Sequence, residues 1–556
     1  MTELSVPPPD LVRVQSTPLG PFAPAASSGA RVEARPSGLG LRIEVGTTDA
    51  VARVVLRWHR DTPRTARVLG DAWERGYGDL EWRTIRPETA HPWSAVVHDP
   101  TTGRSEGFGV DVRGGALAFW QIDGRGVTLV LDVRSGGAAV RPGDRAIHAA
   151  TVRFTASAEG PFRAQRELAA TLCADPLTAG GPLVGANNWY YAYGRGFGLA
   201  AVIRDARMIV ELADGHRVRP FAVIDDGWSV DGTADGRSAS PGPWDRGRPA
   251  EFPDMRGAAD AIRDTGARPG IWFRPLLTRD RAVDGVRGPR DGAFALDPSA
   301  PAVRDLVATD VARLAGWGFE LIKHDFSTYD LLGQWGPQFT PTPSGGPALA
   351  DPAATTAEAL VAFYRTVREA SADALVLGCN VIGHLAAGLV HAQRIGDDTS
   401  GRDWNRTRRV GVNTLAFRLA QHDAFFTADA DCVPSTPHTD WEHNRQFLDL
   451  VARSGTALFV SVDPATRSAR VDDDLARALR LALDGGDPGG VEPIDWFDSP
   501  TPSRWRSGRG ETTYDWLTAA GADAFEPFGP ASPPPGAEPS ADAQSPHLAT
   551  SVVSKL

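Results

Sequence analysis

Between residues 31 and 155 the apolar positions come in short runs broken by turn residues, at 52–58, 93–98, 109–112 and 127–133. Short strands at that spacing predict a β-sandwich, bounded here as residues 31–160. The run from Phe162 to Cys173 has helical spacing and predicts a linking helix within 161–180. From residue 183 the pattern changes to apolar strands alternating with amphipathic helices. Strands are predicted at 183–188, 220–225, 269–273, 319–325, 374–379, 392–396, 424–427 and 457–462. Helices follow at 198–213, 256–265, 301–315, 355–371, 384–390, 406–421, 439–453 and 472–485. Eight such units over 181–487 predict an α/β chain built on a (β/α)8 TIM barrel. A doubly wound open sheet uses the same alternation, but no glycine-rich phosphate loop follows the first strand. Residues 488–524 are broken by Gly and Pro and predict a short irregular C-terminal region, with one element at 511–516. Residues 1–30 and 525–556 are rich in Pro, Ala and Ser and are expected to lack fixed structure.

Composition narrows the partners. The chain has 556 residues, 42% hydrophobic and 23% charged, so it has ample material for a large core and more than one domain. Its net charge of -11 argues against nucleic acid and against an anionic membrane surface. No apolar run nears the ~18 residues of a membrane span. Met1–Asp10 has neither a basic start nor an apolar stretch, so no secretory signal is read there. Three scattered cysteines fit a reducing, cytoplasmic setting. The chain ends Ser554-Lys555-Leu556, the form of a peroxisomal address. The Ala/Arg/Gly/Pro-heavy composition points instead to a bacterial source, where that address has no reader.

Lysine is almost absent: only Lys323 and Lys555 occur among 58 Lys+Arg residues. Lys323 lies in an apolar strand that ends Lys323-His324-Asp325, and strand alternation puts Lys323 and Asp325 on one face and His324 on the other. His324 therefore reads as a packed residue. Lys323 reads as a compact ammonium partner that keeps Asp325 ionised. In a TIM barrel the site lies at the C-terminal strand ends. Polar and aromatic groups collect there: Asn187, Asn188 and Trp189 after strand one, Asp225 and Asp226 after strand two, Trp272 and Arg274 on strand three. Asn380 follows strand five, Arg394, Asp397 and Asp398 strand six, and Asp429 and Asp431 strand seven. Carboxylates, cations and indole faces are the inventory of a sugar site, and glycoside hydrolysis needs a pair of carboxylates. Trp189, Trp272 and Arg274 each have a bland reading as core aromatics or neutralisers of rim acids. Asp429 and Asp431 could hold a metal with Asp397, but no paired-histidine spacing supports one, so neither metal nor cofactor is expected.

The motifs Ile224-Asp225-Asp226-Gly227-Trp228, Lys323-His324-Asp325 and Arg394-Ile395-Gly396-Asp397-Asp398-Thr399 fall in order on strands two, four and six. In this they resemble the melibiase-type α-galactosidases of glycoside hydrolase clan D, nearer to family 36 than to family 27. The resemblance covers roughly residues 180–465 and implies Asp325 as nucleophile and Asp398 as acid/base, with Asp397 leaving the register open by one residue. It implies Asp225 and Asp226 on the O4 and O6 hydroxyls, with Lys323 and Arg394 also contacting substrate; Trp189, Trp272, Arg274 and Asn380 join them as candidates. The histidine at 324 is not the commonest family choice, and residues 380–384 lack the strand-five specificity signatures. The function implied is a retaining exo-glycoside hydrolase acting on α-galactosides or related sugars through a covalent glycosyl-enzyme. For that chemistry Asp398 should rest protonated, in a setting with little positive charge. Alternatives are a raffinose-synthase-like transglycosylase, an α-N-acetylgalactosaminidase or a β-L-arabinopyranosidase. From another class comes a catalytically silent carbohydrate-binding protein. The expected partner is a small carbohydrate, and family 36 implies a homo-oligomer.

Overall fold

The computed structural model describes residues 2–47, 49–194, 196–230, 240–339 and 345–517. The N-terminal region folds as two antiparallel sheets. One runs in the order Ala30–Ser37, Gly40–Thr47, Ile147–Ser157, Arg104–Val110, Ser94–Asp99, Arg67–Gly70, Arg83–Thr84, with Thr2–Leu4 added on Ile147–Ser157. The other runs Ala23–Pro24, Leu11–Gln15, Arg53–His59, Gly126–Asp132, Leu117–Asp123, His91–Pro92. Alternating residues turn inward, and Trp58 and Phe154 meet edge-on across the two sheets at 5.5 Å.

The expectation that residues 1–30 lack structure is corrected here. Leu11–Gln15 pairs along Arg53–His59, from Leu11↔Arg57 to Gln15↔Arg53, and Val14 is fully buried. The prolines that hid this strand fall mainly in its connections, where a missing N–H costs nothing. The sandwich therefore begins at residue 2, not 31.

The helix Pro161–Leu172 packs on the sandwich and touches the barrel's short turn Leu419–Gln421. It approaches closely because strand Arg104–Val110 carries glycine beneath it: a Cβ at Gly109 would stand 2.7 Å from Leu172.

The barrel strands are Val184–Asn187, Phe221–Ile224, Arg268–Phe273, Leu321–His324, Leu375–Gly378, Ala392–Arg394, Thr427–Asp429 and Leu458–Val462, each parallel to its neighbours. The ring closes where Asp429 bridges Ala457. Seven strands fall within two residues of the predicted positions, five of them within one. The seventh does not: it starts at Thr427 rather than 424, and a second segment, Val433–Ser435, pairs with Leu458–Val462. The buried Phe425 and Phe426 that suggested the earlier start pack in the connection before it. Helices such as Thr356–Ala370, whose N-terminus carries a Thr355/Glu358 capping box, cover the outside.

After the barrel, Val491–Pro493, Arg504–Ser507 and Gly510–Thr513 form a three-stranded sheet, more than the single predicted element. It buries Trp496, Trp505 and Trp516. The tail 525–556 and residues 518–524 lie outside the described residues. Among the described residues no helix is long and apolar enough to cross a membrane.

Candidate active site

Strand four delivers Lys323 and Asp325 to the inside of the barrel mouth and turns His324 outward, as its alternation requires. His324 is fully buried against Phe363 and Tyr364, neither ring nitrogen has a hydrogen-bond partner, and burial pulls its pKa down to about 3. Asp325 is held at both oxygens. Trp272 Nε1 donates to Oδ2 at 3.0 Å, and the N–H of Phe326 donates to Oδ1 at 2.7 Å. Phe326 takes a left-handed backbone (φ 62°), an uncommon conformation for a bulky residue, beside the one carboxylate this account depends on.

The direct partner of Lys323 is Asp225, not Asp325. Its Nζ donates to Asp225 Oδ2 at 2.8 Å, and Asn187 Nδ2 donates to the same oxygen at 2.6 Å. Burial works against the ammonium, but Asp225, with Asp325 further off, more than offsets it and holds Lys323 charged, above its ordinary pKa. Lys323 thus acts on Asp325 through space while it pins Asp225. Asp226 lies deeper than the sequence suggested, accepting from Gly227 N and from Ser240 Oγ at 2.5 Å. Burial lifts its pKa to about 6, with the hydrogen bonds from Ser240 opposing the rise.

Strand six delivers Arg394 and the tandem Asp397-Asp398. Arg394 is almost wholly buried, pairing with Asp398 at 3.0 Å, Asp431 at 2.5 Å and Asp429 at 3.6 Å. Asp429 and Asp431, two of the rim acids that could have suggested a metal, therefore serve this arginine, and among the described residues no group of three His, Cys, Asp or Glu side chains is arranged to hold an ion. The two tandem acids differ. Asp397 gives one oxygen to Arg75 and the other to Arg406, both at 2.8 Å, and is buried. Asp398 keeps 30% of its side chain exposed, and its cationic partners, Arg75 and Arg394, meet only Oδ1. Asp398 is thus the acid with a free edge.

The expected electrostatic setting of Asp398 is overturned. Burial alone would raise its carboxyl, but Arg75, Arg394, Arg406 and Lys323 overcome that and hold it down at about 2. The carboxyl near the barrel mouth pushed furthest toward its protonated form is Glu74, raised to about 7 by burial, with Arg75 and the Tyr77 hydrogen bond opposing the rise. Glu74, Arg75 and Tyr77 come from the N-terminal sandwich, and sequence reasoning missed them. Their only local signal is the dense Trp73-Glu74-Arg75-Gly76-Tyr77 run between two sandwich strands.

Two candidates are turned away from the mouth. Arg274 is fully buried, bonding Asp330 at 2.6 and 2.9 Å and Asp291 at 2.7 Å, with its guanidinium 4.2 Å from the centre of the Phe326 ring. Its predicted substrate contact gives way to neutralising acids under the strand-four turn. Asn380 spends its amide on Glu74 at 2.9 Å and on Tyr329 N, so it joins two loops instead of facing a ligand. Trp272 is buried and acts on Asp325 through its N–H. Trp189 remains half-buried at the end of strand one, edge-on to Tyr193.

A β-sandwich leaning on a (β/α)8 barrel, with acids on strands two, four and six at the mouth, defines a class of fold. That fold is the one found in family 36 α-galactosidases. The α-galactosidase of Thermus thermophilus, solved with p-nitrophenyl α-D-galactopyranoside, is 19% identical, covers 87% of this chain and 99% of its own, and superposes with a TM-score of 0.57. A variant of the family 36 α-galactosidase AgaA of Geobacillus stearothermophilus, solved with 1-deoxygalactonojirimycin, is 14% identical over 87% of this chain and 72% of its own, TM-score 0.59. The galactosidase domain of the α-galactosidase–sucrose kinase AgaSK is 14% identical over 80% of this chain and 64% of its own, TM-score 0.54. No protein-family model matches the chain, and no curated protein matches it.

Proposed function

We propose that the protein is a retaining exo-glycoside hydrolase of α-galactosides, with Asp325 as nucleophile and Asp398 as acid/base. One observation carries this reading: two carboxylates stand at the same end of strands four and six, with only strand five between them. Two strand spacings are about 9.6 Å of backbone, and side chains reaching inward from both can approach the ~5–5.5 Å of double displacement. Asp325 is built as a nucleophile that cannot rotate, since each oxygen accepts one hydrogen bond and keeps a lone pair. Lys323, Asp225 and Asn187 form a charged, hydrogen-bonded cluster beside it, suited to fixing sugar hydroxyls. The half-buried Trp189 offers an indole to a pyranose face. The galacto preference is supported by the structural neighbours, which are α-galactosidases.

Asp398 as found suits the second half of the reaction, where an ionised carboxylate deprotonates the incoming water. In the first half it must carry a proton, and the arginines oppose that. Glycosides that leave without protonation, such as nitrophenyl α-galactoside, should therefore be cleaved far faster at neutral pH than alkyl galactosides. A panel of nitrophenyl α-galactoside, α-N-acetylgalactosaminide and β-L-arabinopyranoside separates the substrate alternatives. The first-formed anomer, read by proton NMR, reports retention. Wild-type rates in Asp325→Asn would end the nucleophile assignment.

The depressed Asp398 also favours a second reading, a silent barrel that binds sugar without cleaving it. Galactose-dependent thermal stabilisation without turnover of any glycoside supports that reading over the first.

A further inference from the structure

We propose that Arg75, carried by the N-terminal sandwich, is a positioning residue of the barrel site: its guanidinium bridges Asp397 and Asp398 and fixes Asp398 at the barrel mouth. The inference rests on Asp398 being the acid/base.

The run holding Arg75 is docked onto the barrel from both sides. Gly76 pairs with strand six as an added rung: its N–H donates to Ile395 O at 2.9 Å, and Asp397 N donates to Gly76 O at 2.7 Å. On the other side Glu74 accepts from Asn380 after strand five and from the Tyr77 hydroxyl. Beneath the run, Asp71 pairs at 2.7 Å with Arg418, which also donates to Glu74 O and Ile395 O. Arg75 therefore has little freedom to swing. Its Nη2 reaches Asp397 Oδ1 at 2.8 Å and its Nη1 reaches Asp398 Oδ1 at 3.3 Å, with the Tyr77 and Trp335 rings 5.5 and 5.7 Å away.

The placement is costly. Burying a guanidinium forfeits hydration worth several kcal/mol, and an apolar seam would join two domains more cheaply. Nearby, Leu80 and Trp82 are buried apolar side chains of the same segment, and Trp82 packs on Trp496 and Phe497 after the barrel. A charge kept at that cost between two domains, on the acid with the exposed edge, points to the chemistry of that acid. Asp398 is faced by Arg75 from the sandwich, Arg394 from its own strand and Arg406 from the following helix. Lys323 from strand four, Asp397 beside it, Asp431 from strand seven and Tyr190 after strand one complete its charged and titratable surroundings. Arg75 is the cation there that the barrel itself does not supply, so the barrel without the sandwich lacks part of its acid/base environment.

The test uses the full chain. Arg75→Gln and Arg75→Lys are compared with wild type for kcat/KM against pH, on methyl α-galactoside and on nitrophenyl α-galactoside, alongside melting temperature. The proposal expects the pH limit for methyl α-galactoside, which needs the acid, to move up by about one unit in Arg75→Gln. The nitrophenyl substrate's rise with leaving-group ability should flatten in the same variant. Arg75→Lys keeps the charge but loses the two-pronged fork, so it should shift less in the same direction; it also serves if Arg75→Gln does not fold. An unmoved pH limit in a folded variant, with rate and melting temperature falling together, would reduce Arg75 to a structural staple. A wild-type protein that cleaves no glycoside at any pH would overturn both this inference and its parent, whereas an active wild type with unmoved variants overturns this one alone.

Discussion

The Lys323–Asp225 pair gives the sharpest energetic test of the site. The two side chains are 9% and 3% exposed and meet at 2.8 Å. At an effective dielectric near 20, Coulomb attraction at that distance is about 6 kcal/mol, and the desolvation of two ions takes back several of those. The pair as a whole is then worth little, while either partner left alone is expensive. Asp225→Asn keeps the shape and an acceptor but strands the ammonium, at a cost of about 3 kcal/mol. Lys323→Met keeps the volume but strands the carboxylate, at a comparable cost. The double variant removes both charges and should return to within about 1 kcal/mol of wild type, a coupling energy of about 5 kcal/mol. Urea unfolding followed by tryptophan fluorescence measures all four corners of the cycle. Activity should be lost at every mutant corner, which separates the pair's chemical role from its structural one. Additive single losses, with the double variant the least stable, would show that the two charges do not depend on each other.

Two buried groups predict opposite pH slopes. Glu74 is raised from 4.5 to about 7, so the folded state binds more protons across that window and stability falls as pH rises through it, by about 3 kcal/mol in all. Glu74→Gln should flatten that fall, read as the wild-type-minus-variant difference in urea midpoint between pH 4.5 and 7; an unchanged slope would refute the burial argument. His324 is lowered from 6.5 to about 3, so the unfolded state binds more protons there and stability falls as pH drops through that range. His324→Leu should relieve this acid lability and leave kcat within about threefold, because it removes a buried ring with no partners and no route to substrate. A large loss of activity in that variant would contradict the outward placement of His324.

Much of this was readable before the structure. The short apolar runs alternating with helical patterns placed the barrel because its strands are apolar on both faces and its helices on one, and that contrast is local. The inward pairing of Lys323 and Asp325 followed from alternation alone. Strand seven was misplaced because Phe425-Phe426 is as apolar as a strand while serving a connection. Leu11–Gln15 was missed because five alternating residues among prolines carry too little signal. The environment of Asp398 was out of reach for a different reason. Arg394 is four residues away and visible in the motif, but Arg75 lies 323 residues earlier and enters only through tertiary contact. Residue types foretold which acids gather at the mouth, whereas their charge states depend on cations delivered by another domain.

The central claim is that Asp325 attacks the anomeric carbon. The most direct measurement is incubation with a slowly released fluorinated α-galactosyl inactivator, followed by peptide mapping by mass spectrometry. One covalent galactosyl adduct per chain is expected, on Asp325, absent in Asp325→Asn and prevented by excess galactose. Labelling at another residue, or turnover of α-galactosides with inverted product and no adduct, would contradict it.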